Sequence, residues 1–228
     1  MSETWYAVLT GDVVKSSALM AEDRGRVPES LRAAADLTTQ HFPDAVHGAM
    51  DIFRGDSWQM VVSRPRLALR VGLFLRAALL AQPGGGPIDT RVAVGFGTVA
   101  YLPENNVSTG NGQAFNLSGE ALEAAVKTCR LSVSFPEPLR SPLTHSLTII
   151  VRLIDLQAQR WTRKQAEAVS GAVLGLTQQA IGKSWFREPV TQQAISQHLE
   201  GAGWAAISQG MTYFESILPD LREKTGAA

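Results

Sequence analysis

Through the first 135 positions, short apolar bursts alternate with polar breaks, and beyond them apolar residues recur at helical spacing almost to the end. Trp5 to about Val13 is a mostly apolar run that closes on Gly11 and Asp12 and predicts a strand. Residues 17–41 carry helical spacing, with an interruption expected at Pro28. Two short runs, residues 49–53 and 58–62, flank Arg54-Gly55-Asp56 and predict a hairpin. Ser63 and Pro65 predict the start of a helix that reaches Ala81, with Ser63 as its cap. After the turn "QPGGGP", the stretch "IDTRVAVGFGTVAYL" sets Ile88, Thr90, Val92, Val94 and Phe96 against smaller or polar partners, which predicts a strand with a glycine-lined face. A loop rich in Asn and Gly leads to a helix near residues 115–127 and a strand near 131–135.

That order is βαββαβ with an αβ extension. It predicts an α+β protein whose first 135 residues form a ferredoxin-like sheet domain, the split βαβ arrangement. The stretch "SFPEPLRSPLTH" holds Pro136, Pro138 and Pro142, so residues 136–144 are expected to be a linker. Residues 145–228 are then a helical unit in which Trp185 and Trp204 should be at least partly buried. Within it, Thr177 and Thr191 each precede a helical pattern and can cap it, which suggests a helix-turn-helix.

Composition narrows the function. The 228 residues are 45% hydrophobic and 18% charged, with a formal net charge of zero, so nucleic-acid or membrane-surface binding would need a local patch. Cys129 is the single cysteine; it supplies neither a disulfide nor a metal cluster and is expected in the core. The greasiest stretch, "LALRVGLFLRAALLA", is cut by Arg70 and Arg76 and is too short to span a bilayer. With no targeting segment in view, a cytoplasmic protein without a membrane partner is expected. The four histidines have no ligand spacing, and Arg66 and Arg70, one turn apart, are expected on a solvated helix face.

The candidate chemistry lies in the two Gly-Asp pairs. The split βαβ order puts the first strand beside the hairpin, so Asp12 and Asp56 are expected to meet at one edge of the sheet. Two close carboxylates repel unless a cation neutralises them, and hard oxygen ligands suit Mg²⁺ or Mn²⁺. Lys15 and the backbone amides of residues 15–17, where a helix opens, would then seat a phosphate. Val13, Lys15, Ser16, Ser17 and Gly55 are the ligand-contact candidates around that pair. Taken singly, each Gly-Asp is ordinary turn chemistry.

Together, "GDVVKSS", "RGDSW", "RVAVGFGTV" and "GNGQAFNLSGEALE" resemble, in order, the motifs of class III nucleotidyl cyclases across residues 5–135. The resemblance puts Asn116 in the place of the cyclase asparagine that contacts the ligand, and it implies a homodimer, since cyclase sites form between two such domains. With the downstream helices included, "TGDVVKSS", "RGDSWQ" and "GNGQAF" are similar to the SatD family, which joins such a domain to a C-terminal helix-turn-helix. Two positions depart from the cyclases. Glu120 stands where they carry an arginine that stabilises the transition state, and Ile52 stands where adenylyl enzymes carry a lysine that reads the base. An anion at that arginine's place should cost on the order of 10²–10³ in rate, so efficient cyclisation is not expected.

The presumed recognition helix offers Gln192, Gln193, Ser196 and Gln197 to base edges but no Lys or Arg. Phosphate contacts would come from Lys164, Lys183 and Arg187. From Leu143 onward there are eight basic and seven acidic residues, and a helical dimerisation module fits that stretch as well as a DNA-binding one. Two classes therefore stand: a regulator that binds a metal–nucleotide or other phosphorylated ligand and DNA, or an enzyme on a nucleoside triphosphate whose helices only dimerise.

Overall fold

The structure is a computed structural model, and it describes residues 4–18, 20–53, 55–125, 129–186 and 188–223. It is an α+β protein with one mixed five-stranded sheet and eight α-helices among the described residues. The strands are β1 (Trp5–Val13), β2 (Val46–Phe53), β3 (Ser57–Val62), β4 (Thr90–Thr98) and β5 (Leu131–Ser134). Their order across the sheet is β2-β3-β1-β4-β5. The pairs β2/β3, β3/β1 and β1/β4 are antiparallel, and β4/β5 is parallel.

Alternation along β1 sorts its two faces. Ala7, Leu9 and Val13 enter the main apolar core with Trp58, Met60 and Val62 of β3 and Val92, Val94 and Phe96 of β4. The helices α1 (Ala21–His41) and α2 (Ala68–Ala81) cover that face. Val8 and Val61 face the other way and pack with Ala114 and Phe115 of α3 (Gln113–Ala124). This second contact explains the glycine-lined strand. A Cβ on Gly95 would lie 2.3 Å from the Ala114 carbonyl oxygen, so α3 rests directly on the β4 backbone. Polar groups in the layer are paired: the Thr10 and Ser118 hydroxyls are 2.7 Å apart, and Gln59 donates to Thr10.

Pro28 does not interrupt α1, which runs through it. A proline removes one ladder bond, but Val27, Leu31, Ala34 and Ala35 keep one continuous buried face that holds the helix together. Ser63 does not cap the following helix. Its amide and hydroxyl both donate to the Ala45 carbonyl, and a 3₁₀ turn at Pro65–Leu67 begins at Arg64 instead.

The helical half consists of α4 (Pro142–Ala158), α5 (Arg163–Val173), α6 (Gln178–Lys183), α7 (Gln192–Gly201) and α8 (Trp204–Glu223). The proline-rich stretch expected as a linker holds a 3₁₀ turn at Glu137–Leu139 with Leu139 buried, and α4 begins inside it at Pro142 under a Ser141–Thr144 capping box. Leu147, Val151, Ile154, Val169, Ile195 and Phe214 belong to the same apolar cluster as the sheet residues Leu9 and Phe96, so the helices sit on the sheet domain's own core. Trp185 and Trp204 are partly buried against that cluster and Cys129 is buried, as the sequence predicts. Thr177 and Thr191 cap α6 and α7, each accepting the backbone amide three residues on. No helix among the described residues is long and apolar enough to cross a membrane.

Candidate ligand site

The two Gly-Asp pairs come together at one end of the sheet. Asp12 pairs in register with Ser57 on one side and Arg91 on the other. The next amide along, that of Val13, donates to the Asp56 carbonyl at 3.0 Å. Each glycine has its own cause. A Cβ on Gly11 would lie 2.3 Å from the Trp58 ring, which crosses the strand there, while Gly55 turns the hairpin with φ +84°. The Trp58 indole donates to the Thr90 hydroxyl, which in turn donates to the Asp12 carbonyl, so three strands are tied at this point.

The two carboxylates have different partners. Asp12 accepts both arms of the Arg91 guanidinium, Nε at 2.6 Å and the second nitrogen closer still. Hydrogen bonding to Asp12 raises the Arg91 pKa above its ordinary value, against the opposing pull of burial. Asp56 accepts the Ser16 hydroxyl at 2.5 Å and the Ser57 hydroxyl at 3.4 Å. Arg91 opens "RVAVGFGTV", but reading its partner needed the cross-strand register, which motif spacing does not supply.

Lys15 follows directly and adopts φ 54°, a left-handed conformation uncommon for a lysine. Its carbonyl accepts the Ala18 amide and closes the 3₁₀ turn Ser16–Ala18, so the expected helix opening is a single tight turn ahead of α1. Lys15 is exposed, Ser16 half-buried, and the Ser17 side chain lies outside the described residues. Lys15 also lines a cleft of about 320 Å³ with Asp89, Arg130, Gln159 and Trp161.

Two of its lining residues, Asp89 and Arg130, belong to a buried ionic cluster. Arg76 is fully buried on α2 and bridges Asp89, at 2.8 and 3.0 Å, to Asp155 of α4, at 3.2 Å. Arg130 donates to Asp89 at 2.5 Å, and Asp155 also takes the Arg130 amide, Arg152 and Gln159. In sequence the signal was only Arg76 interrupting an apolar run; its partners are 13 and 79 residues away. Three guanidinium groups and two carboxylates meet in this cluster. Arg70 is likewise not on a solvated face, because it is paired with Glu215 of α8 and donates to the Val173 carbonyl.

Asn116 and Glu120 are both exposed on α3. The turn carrying Asn116 rests on Gly95, which pairs with Val8, four residues along β1 from Asp12. That is about 13 Å along the strand, while Ser118 of the same turn bonds Thr10, two residues from Asp12. In the helical half, Gln192, Gln193, Ser196 and Gln197 are exposed on α7 while Ile195 and Leu199 are buried. Lys183 is exposed at the end of α6, and Arg187 lies outside the described residues. The Trp185 and His198 rings stack at 5.6 Å. Burial, and then the charge of Lys164, push the His198 pKa below its ordinary value.

Among the described residues no group of three or more His, Cys, Asp or Glu side chains could hold a metal ion. No family model matches the chain, and no curated protein matches it.

Proposed function

We propose that the protein is a regulator of the SatD type, in which a cyclase-like sheet domain binds a metal–nucleotide or other phosphorylated ligand and the C-terminal helices bind DNA. The carrying observation is the Val13–Asp56 backbone bond, which sets two Gly-Asp pairs side by side next to the Lys15–Ser16 turn. The strand order β2-β3-β1-β4 and its antiparallel pairing support a ferredoxin-like reading of this half. The two carboxylates and the Ser16 hydroxyl are hard oxygen donors of the kind Mg²⁺ or Mn²⁺ takes together with substrate phosphates. Arg91 already neutralises Asp12, so a divalent cation and that guanidinium compete for the same carboxylate. Lys15 and Arg130, both on the lining of the neighbouring cleft, favour an anionic phosphate chain beside them. Glu120, exposed on α3, argues against efficient cyclisation.

The helix-turn-helix reading rests on the polar, exposed face of α7 over buried Ile195 and Leu199. A homodimer agrees with a stripe on α4, where Ile149, Leu153 and Leu156 are 48%, 60% and 45% exposed. Equilibrium dialysis of each nucleoside triphosphate, with and without Mn²⁺, tests the ligand half. At least one nucleotide should bind in a metal-dependent way, and both Asp12→Asn and Asp56→Asn should remove the metal dependence. Binding that ignores the metal and both substitutions would sink the proposal.

A further inference from the structure

A second cleft, of about 630 Å³, opens between α1 and α2 on one side and α5, α6 and the segment after α6 on the other. Its size falls within the range of small-molecule sites, about 300–1,000 Å³. Its walls are mainly apolar and include Leu37, Phe74, Leu176, Trp185 and Phe186. Three of these are unusually open for large apolar groups: Leu37 is 41% exposed, Leu176 44% and Phe186 61%. Scattered exposed apolar residues are ordinary, but three on the rim of one cavity make a lipophilic mouth.

One carboxylate enters this apolar space. Glu167 on α5 lines the cleft, and its Oε1 accepts the Phe186 amide at 2.6 Å. Burial pushes its carboxyl above the usual carboxylate range, although the Phe186 amide and Lys164 pull the other way. An incoming cation would relieve that desolvation, whereas an incoming anion would meet the charge. The aromatic side chains of Trp185 and Phe186 on the lining add an environment that attracts cations. The other titratable side chain on the lining, His41, is set edge-on against Phe74 at 5.5 Å.

We infer that this cleft is a binding site for an apolar cation, an aromatic or alkyl ammonium-type molecule whose charge is read by Glu167. It shares no residue with the aspartate and Lys15 site, so it stands or falls independently of the function proposed above. Because α6 and Trp185 form part of its wall and Trp185 stacks on His198, an occupant would touch α6 directly and α7 through that stack.

Two probes of the same shape and opposite charge make the test. Tetraphenylphosphonium and tetraphenylborate are titrated separately into the full chain, with calorimetry as the readout. The cation should bind saturably, with an affinity at least about tenfold above that of the anion. Glu167→Gln should remove that preference. Ala33 is exposed on α1 and lines the cleft, so Ala33→Trp should block the cation without disturbing the core, and its unchanged thermal transition would verify folding. Equal affinities for the two ions, or undiminished cation binding by folded Ala33→Trp, would overturn the inference.

Discussion

Arg91 holds Asp12 in a two-armed pair whose side chains are 27% and 24% exposed. If breaking such a half-open pair is worth about 1 kcal/mol, Arg91→Ala should raise the apparent Mn²⁺ affinity about fivefold. Titration calorimetry of the two proteins checks this, and a weaker affinity in the variant would show Arg91 to be part of the site rather than a competitor. His198 makes a second prediction. Its folded pKa lies below the unfolded value of about 6.5. A lowered histidine pKa means that the unfolded chain takes up the proton first, so this group's contribution is intact above about pH 6.5 and is lost as pH falls below it. The NMR titration midpoint of His198 should therefore lie under 6.5, with the protein losing stability on the acid side. Both aspartates and Lys15 were legible as chemistry in the sequence, because a carboxylate closing an apolar run is out of place there. Arg91 and Asp89 were not, since their roles come from register and from contacts tens of residues apart.

Strands and helices were readable where one period dominated. The β1 span Trp5–Val13 matches its apolar run, and the hairpin differs only by a few residues at its ends. Pro28 and Ser63 misled because the local rule was overridden: a buried helix face outweighed one lost bond, and the turn before β2 took Ser63. Two elements carry predictions of their own. The α4 stripe Ile149, Leu153 and Leu156 recurs at i, i+4 and i+7, the spacing of one helix face. Leu153→Glu should convert a dimer to a monomer in analytical ultracentrifugation, while leaving the thermal transition nearly unchanged because that side chain is 60% exposed. The α7 face is polar but carries no cation, so DNA affinity would depend on flanking groups such as Lys183. Lys183→Ala should weaken binding to all sequences alike and flatten its dependence on salt. No DNA retention by the intact protein at low salt would favour dimerisation as the sole task of these helices.

The two halves share one apolar cluster and are joined by the Arg76–Asp89–Asp155 bridge, so they should unfold together. Removing one partner from a buried ionic cluster costs about 3–5 kcal/mol, so Asp155→Ala should lower the single transition steeply in calorimetry. Two separated transitions in the unaltered chain would contradict this coupling. Leu139 and the Ser141 cap tie down the proline-rich stretch expected as a linker, because proline content reports local stiffness and not what packs on either side. The same coupling bears on function, because the cleft beside Lys15 is walled by the sheet half and by Gln159 and Trp161 of the helical half. A ligand seated there contacts both. The direct test is to saturate the protein with each nucleoside triphosphate in Mn²⁺, remove the free ligand, and chromatograph the nucleotide recovered from the protein. The proposed function predicts intact triphosphate, bound only with metal and lost in Asp56→Asn, with little or no cyclic product. Rapid cyclic nucleotide from the unaltered chain, or no metal-dependent retention of any triphosphate, would contradict it.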